Sequence, residues 1–288
     1  MIKKLVTTIA ALTLTTAAYA FDITIGGPPG GTSQRVSEVI SVALKHEHVD
    51  VNVNYTAGCP VVKSNIENGQ KTVYLTTAYV MSMPECSLQF NKDVVLLDEL
   101  YVYTNALCHR KERYDLRLEN FLEPELRKVI ASNIFGEASL KKVVQKLGIE
   151  KNSKIVVVGN SGKVRQAILS TEFDYALVDA IWASQNTDKV SCIFVGSDDN
   201  VMFEDKTVPS IQKFIKKKTN NDVGPLFQDV FVLIGSGLND EEKLKIKKEL
   251  AIVRKSNEWQ LYINQFGNSS TTLEQNKYNK IIEILKGN

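Results

Sequence analysis

Short β-branched runs alternate with helix-periodic segments along most of the chain, and no other feature of the sequence restricts the fold as strongly. Residues 22–25, 49–55, 72–77, 94–104, 129–132, 155–158, 175–178 and 192–195 read as strands. Between them the spacing predicts helices over 33–44, 60–68, 139–147, 163–169 and 179–184. In the first of these, Val36, Val39, Ile40 and Ala43 fall on one face. Gly69 is placed to stop the second. Strands that alternate with helices in this way argue for an α/β protein with largely parallel sheets. The end of the chain differs, with amphipathic, lysine-rich helices expected over 239–256 and 273–285. Asn239 or Asp240 is a suitable cap for the first, and the lysines read as a solvated face.

Lys3 and Lys4 precede an apolar run from Leu5 to Leu14, and Ala18-Tyr19-Ala20 closes the stretch. This is the pattern of a secretory signal peptide cut after Ala20, so a periplasmic protein beginning at Phe21 is expected. The run is short of the roughly 20 residues that span a bilayer, and stable membrane insertion is not expected. With Lys3 and Lys4 removed, 33 basic residues face 33 acidic ones. Such a balance exerts no general pull on nucleic acid or anionic lipid, so charge recognition must be local.

Cys59, Cys86, Cys108 and Cys192 form an even set in an oxidising compartment and favour disulfides. More than one pairing is open. Cys59–Cys86 with Cys108–Cys192 is favoured because the first two lie in one segment assigned to a single domain. No Cys-x-x-Cys occurs and His109 is the one histidine beside a cysteine, so a metal site is not expected.

Four turns between strand and helix are candidates for chemistry. The first, Gly26-Gly27-Pro28-Pro29-Gly30-Gly31, leads into a helix that opens with Thr32 and Ser33. Pro28 breaks the dinucleotide fingerprint, and no Gly-Lys-Ser/Thr ending makes it a phosphate loop, so no cofactor is expected. What remains is an anion cradle of backbone N–H groups at a helix N-terminus. A second turn, Val158-Gly159-Asn160-Ser161-Gly162, fails as a nucleophile elbow because Lys163 stands where the last glycine belongs. The histidines, His46, His48 and His109, also offer no evident partner for a serine. The third and fourth are Ser132-Asn133-Ile134-Phe135-Gly136-Glu137 and Thr76-Thr77-Ala78-Tyr79. Asp179 follows a strand and either caps the next helix or touches a ligand. Ligands of open α/β sheets collect beyond the carboxyl ends of the strands, where these turns lie. Four such turns without a catalytic set suggest binding without turnover.

Taken in order, these segments resemble the extracytoplasmic solute receptors of tripartite tricarboxylate transporters. Pro28-Pro29-Gly30-Gly31-Thr32-Ser33 is similar to the family's opening motif, with Gln34 in place of its aspartate. Thr56-Ala57-Gly58-Cys59-Pro60 matches its Gly-Ala-Gly-Gly loop loosely, and Val158–Gly162 keeps the outline of its second glycine loop, with Lys163 in place of proline. Thr207-Val208-Pro209-Ser210 and the tail with Phe266-Gly267 complete the likeness. The resemblance implies a two-lobed periplasmic binding-protein fold of type II, each lobe a mainly parallel sheet flanked by helices. Lobe 1 would hold residues 21–105 plus 230–288 and lobe 2 residues 106–229, with crossing strands near 102–109 and 228–233. It also implies a monomer that binds a small carboxylate, mainly through backbone amides, and delivers it to a membrane permease. The expected ligand-binding residues are Pro28, Pro29, Gly30, Gly31, Thr32, Ser33, Thr76, Thr77, Asn133, Gly136, Gly159, Asn160, Ser161 and Asp179, and none is expected to be catalytic. Valine at Gly30 or Gly31 is expected to abolish binding. Competing readings are a small-acid lyase or dehydratase, for which Glu137 and Asp179 are the acid–base candidates, and a sensor subunit.

Overall fold

The computed structural model describes residues 20–264. The expected signal peptide, the helix expected over 273–285 and the Phe266-Gly267 pair lie outside the described residues. The chain begins with β1 (Ala20–Ile25), α1 (Thr32–Lys45), β2 (Asp50–Tyr55), α2 (Cys59–Glu67), β3 (Thr72–Thr77) and α3 (Ala78–Ser82). A 17-residue strand, β4 (Val94–Arg110), leads to α4 (Leu118–Leu122), β5 (Lys128–Asn133), α5 (Ile134–Leu147), β6 (Ser153–Gly159), α6 (Ser161–Leu169), β7 (Tyr175–Asp179), α7 (Ala180–Ser184) and β8 (Val190–Val195). A hairpin of β9 (Val201–Phe203) and β10 (Lys206–Val208) precedes α8 (Ile211–Thr219) and β11 (Gln228–Ser236). The described chain ends with α9 (Asp240–Lys255) and α10 (Asn257–Asn264).

The strands order as β2-β1-β3-β11-β4-β7-β5-β6, with β8 also on β4. On one side, β1 pairs parallel with β2 and β3; on the other, β5 pairs parallel with β6 and β7. β4 and β11 join them. Residues 94–104 of β4 run antiparallel to β11, whereas residues 105–110 of the same strand pair with β7 and β8. The strand expected over 94–104 and the crossing segment expected near 102–109 are therefore one continuous strand.

Apolar residues cover both faces of each half. Val36, Ile40 and Leu44 of α1 meet Ile23, Leu75, Leu250 and Trp259 on one face of the first half. Fully buried side chains of this kind contribute about 1.5–3 kcal/mol each. Val62, Ile66, Tyr74, Val232 and Ile234 fill its opposite face. In the second half, Leu140, Val143, Ile130 and Phe194 form one cluster, and Val164, Ile168, Ala176 and Val195 another. Both favoured disulfides are present, Cys59–Cys86 and Cys108–Cys192. The cap expected at the start of α9 is a capping box, in which Asn239 and Glu242 each accept the other's backbone N–H.

Two local expectations change. Residues 132–137, read as a loop, are the end of β5 and the first turn of α5. Asn133 explains the abrupt switch: its side chain accepts the Gly136 N–H at 2.8 Å, which caps the helix at once. Thr77 ends β3 as expected, but the helix α3, which is not among the expected ones, starts at the next residue.

Candidate functional site

Helix α1 opens beside β1, and α5 and α6 open beside β5 and β6, so their N-terminal turns line the same cavity, of about 380 Å3. Their N-termini carry partial positive charge and orient N–H groups for an anion. The ends of α5 and α6 are already capped: Asn133 accepts from Gly136 N–H, and Asn160 from Lys163 N–H at 3.0 Å. The α1 end is not. Gly31 occupies its cap position and supplies no side-chain acceptor. Thr32, Ser33 and Gln34, which form its first turn, all line the cavity. Among the described lining residues no lysine, arginine or histidine occurs, and Asp229 is the one carboxylate.

Contacts between the two halves close the cavity. Thr32 Oγ1 donates to Asp179 Oδ2 at 3.1 Å, and Arg165 pairs with the same carboxylate at 3.5 Å. Arg35 donates to Gln185 Oε1 at 2.9 Å. Tyr79 and Phe135 meet edge to face with ring centres 5.5 Å apart. The two glycine turns touch: a Cβ on Gly162 would lie 2.5 Å from the carbonyl oxygen of Gly30.

The floor is the shared face of β3, β11 and β4, which contributes Thr77, Tyr103, Asn105, Asp229 and Phe231, joined by Phe227 just before β11. Asp229 Oδ1 accepts the N–H groups of Val230 at 2.7 Å and Tyr79 at 3.1 Å, and so caps the short helix α3 from another strand. Among the described residues its Oδ2 has no hydrogen-bond partner, and neither has Thr77 Oγ1 or Asn105 Oδ1. All three residues are buried. An unpaired buried polar group costs about 1–3 kcal/mol, so three acceptors left open on one floor are a marked departure from the well-paired interiors of folded proteins.

Burial pushes the Asp229 carboxyl up to about 6, against the opposing pull of the two backbone N–H groups and of the Thr77 hydroxyl, which lies near the carboxyl without reaching hydrogen-bond geometry. The folded protein thus holds this proton to higher pH than the unfolded chain, whose reference value is 3.8. Between those values the native state binds more protons, so stability falls as pH rises through the window. Above it the full cost of the buried charge, about 3 kcal/mol, is present. Buried His109 titrates with the opposite sign, because desolvation lowers its pKa and acid charges it more readily in the unfolded chain. The difference between the wild type and Asp229→Asn isolates the carboxyl. Urea unfolding at pH 4 and pH 7.5 is expected to show the variant gaining about 2–3 kcal/mol relative to wild type on going to the higher pH. An unchanged difference would mean that Asp229 is not buried as a charge.

Of the residues expected at the site, Pro28, Gly31, Thr32, Ser33, Thr76, Thr77, Asn133, Gly136, Gly159, Asn160 and Ser161 line this cavity together. Pro29, Gly30 and Asp179 do not. Gly30 is exposed and has φ +98°, a backbone conformation that favours glycine, whereas Gly31 is extended. Asp179 is 1% exposed; its Oδ1 accepts the Ile181 N–H at 2.8 Å, so the capping role holds, and its other oxygen ties Thr32 to Arg165. Glu137 pairs with Lys141 at 2.8 Å and also lies off the lining, so it and Asp179 form no acid–base pair there. The floor residues Tyr103, Asn105, Phe227, Gln228, Asp229 and Phe231 were not anticipated.

Two half-sheets that share two crossing strands, with a cavity lined from both, define the type II periplasmic binding-protein fold. The chain is similar to MatC from Rhodopseudomonas palustris with bound malate, at 14% identity and TM-score 0.71, over 93% of this chain and 99% of that one. It is also similar to the periplasmic binding protein BugD, at 13% identity and TM-score 0.72, over 93% and 94% of the two chains. A third likeness is to an R. palustris protein with adipate, at 10% identity and TM-score 0.72, over 94% and 95%. A TctC solute binding protein from Polaromonas is also similar, at 13% identity and TM-score 0.59, over 94% of this chain and 99% of that one. At such identities the likeness is one of fold. No protein-family model and no curated protein matches the sequence.

Proposed function

We propose that this protein is a periplasmic solute receptor that closes on a small carboxylate and passes it to a membrane permease. The observation that carries the proposal is the uncapped N-terminus of α1, facing a cavity that α5 and α6 also address and that no cationic side chain among the described residues lines. The malate and adipate in the similar structures support a carboxylate in particular. Hydrogen bonds to a charged group are worth about 1.5–3 kcal/mol each, so four or five can offset closure and leave about −8 kcal/mol, near micromolar. Closure then reports occupancy, because the ligand shifts the open–closed balance by its preference for the closed form.

The proposal includes removal of the first 20 residues, and a monomer in which residues 21–105 and 230–288 make one lobe and 106–229 the other. The hydrophobic clusters support that division, since nearly all members of each come from one side of it. Among the described residues, no helix is long and apolar enough to cross a membrane.

A thermal-shift screen against mono-, di- and tricarboxylates tests the proposal. An acid present at about 100 times its dissociation constant is expected to add about 2.7 kcal/mol of stability and to be recovered unchanged. Consumption of the acid would make the protein an enzyme, and no shift with any acid would remove the carboxylate assignment.

A further inference from the structure

Two chemically different sets of open groups face the cavity, and the proposed carboxylate satisfies one of them. Open N–H groups lie at the first turn of α1. Open acceptors lie on the floor: Thr77 Oγ1, Asn105 Oδ1 and Asp229 Oδ2 are all buried and all without a hydrogen-bond partner among the described residues. They belong to three adjacent strands, β3, β11 and β4. The register sets Thr77 opposite Phe231, two residues from Asp229, and Asp229 opposite Tyr103, two residues from Asn105. With a two-residue repeat, Asp229 and Asn105 share the cavity face, and Thr77 lines the same cavity from the neighbouring strand.

We propose that this floor is an ammonium subsite and that the ligand is an amino acid, held by its carboxylate at α1 and by its ammonium at Thr77, Asn105 and Asp229. The inference rests on the carboxylate-receptor reading and narrows it.

A protonated amine offers three N–H donors and one positive charge; the floor offers three acceptors, one of them ionisable. A ligand hydroxyl would supply a single donor and no charge. A divalent metal is a poorer fit, since magnesium or calcium takes about six or more oxygens. Capping α3 does not account for Asp229 either. That task uses Oδ1 alone, and an asparagine would perform it without burying a charge. The surroundings favour the cation further. No lysine, arginine or histidine competes for the carboxylate from the described lining, and the rings of Tyr79, Tyr103 and Phe231 surround the floor with low-dielectric surface.

Isothermal titration of the purified protein with matched pairs tests this: aspartate against succinate and malate, glutamate against glutarate, and alanine against propionate and lactate. For at least one skeleton the amino acid is expected to bind about 30-fold or more tightly than its des-amino and hydroxy counterparts. Asp229→Asn, which keeps an oxygen for the Tyr79 and Val230 N–H groups, should narrow that ratio to within about threefold while circular dichroism stays that of the wild type. If des-amino acids bind as tightly as amino acids on every skeleton, or if the variant keeps the full ratio, the ammonium subsite is overturned and the carboxylate receptor stands. If no acid of any series binds, the receptor reading falls and this inference falls with it.

Discussion

Protein carrying Gly162→Ala is expected to fold normally and to lose affinity for its ligand by about a hundredfold or more. Gly162 lies in the first turn of α6, in a helical conformation that alanine favours, so the substitution does not strain its own backbone. The obstruction is across the cavity, where the new Cβ would stand 2.5 Å from the Gly30 carbonyl oxygen and 3.3 Å from its carbonyl carbon. The obstructing group is backbone, and it belongs to the turn that introduces α1. Relief therefore requires the two glycine turns to separate. Separation by even an ångström draws the α1 amides away from a ligand seated between the halves, and loss of two charge-assisted hydrogen bonds at about 1.5–3 kcal/mol each exceeds a hundredfold. Titration calorimetry measures the loss. Small-angle scattering with saturating ligand should show the variant more extended than the wild type, while the unliganded proteins match. Wild-type affinity in Gly162→Ala would mean that the Gly30 and Gly162 turns do not approach one another when ligand is bound.

The fold was legible because it is written in periodicity and turn chemistry, which are local. The strand over 72–77 coincides with β3, and of the two cap candidates for α9, Asn239 and Asp240, Asn239 takes the position. Most of the cavity wall was legible for the same reason: helix N-termini follow strands, and glycine or asparagine at the junction marks them. Its floor was hidden by that very rule. Tyr103 and Asn105 lie deep inside one crossing strand, and Phe227 and Asp229 at the start of the other, where no strand-to-helix turn marks them. Asn105 and Asp229 were the available signal. A polar side chain inside a strand that is otherwise apolar must find a partner or face a cavity, and only the antiparallel register of β4 with β11 shows that both sit on one face. The start of α5 was misplaced for a related reason. Residues 132–137 read as a turn between the strand over 129–132 and a helix from Ser139, and the cap that makes Ile134 and Phe135 helical is a single bond to Asn133.

Removal of the Cys108–Cys192 disulfide is expected to be the most destabilising change proposed, at about 4–5 kcal/mol, against about 3–4 kcal/mol for Cys59–Cys86. The difference follows from loop length. The first bond joins residues 84 apart in sequence and the second joins residues 27 apart, so the longer loop restricts the unfolded chain more. Position adds to it. Cys108 and Cys192 face one another in the register of β4 with β8, and both are buried in the second half's core beside Val164 and Val195. Alanine is the replacement to use, because serine would bury hydroxyl groups without partners and inflate the loss. For a protein of this size each kcal/mol moves the thermal midpoint by roughly 2–4 °C, so Cys108→Ala/Cys192→Ala should melt at least about 8 °C below the wild type. Reductant should lower the wild type toward the variant and leave the double variant unmoved at that pair. Should the variant that lacks the 84-residue link prove as stable as the one that lacks the 27-residue link, loop entropy is not what these bonds contribute. Their value would then lie in the folded state, with Cys108–Cys192 holding β8 against the crossing strand from which the cavity floor is built.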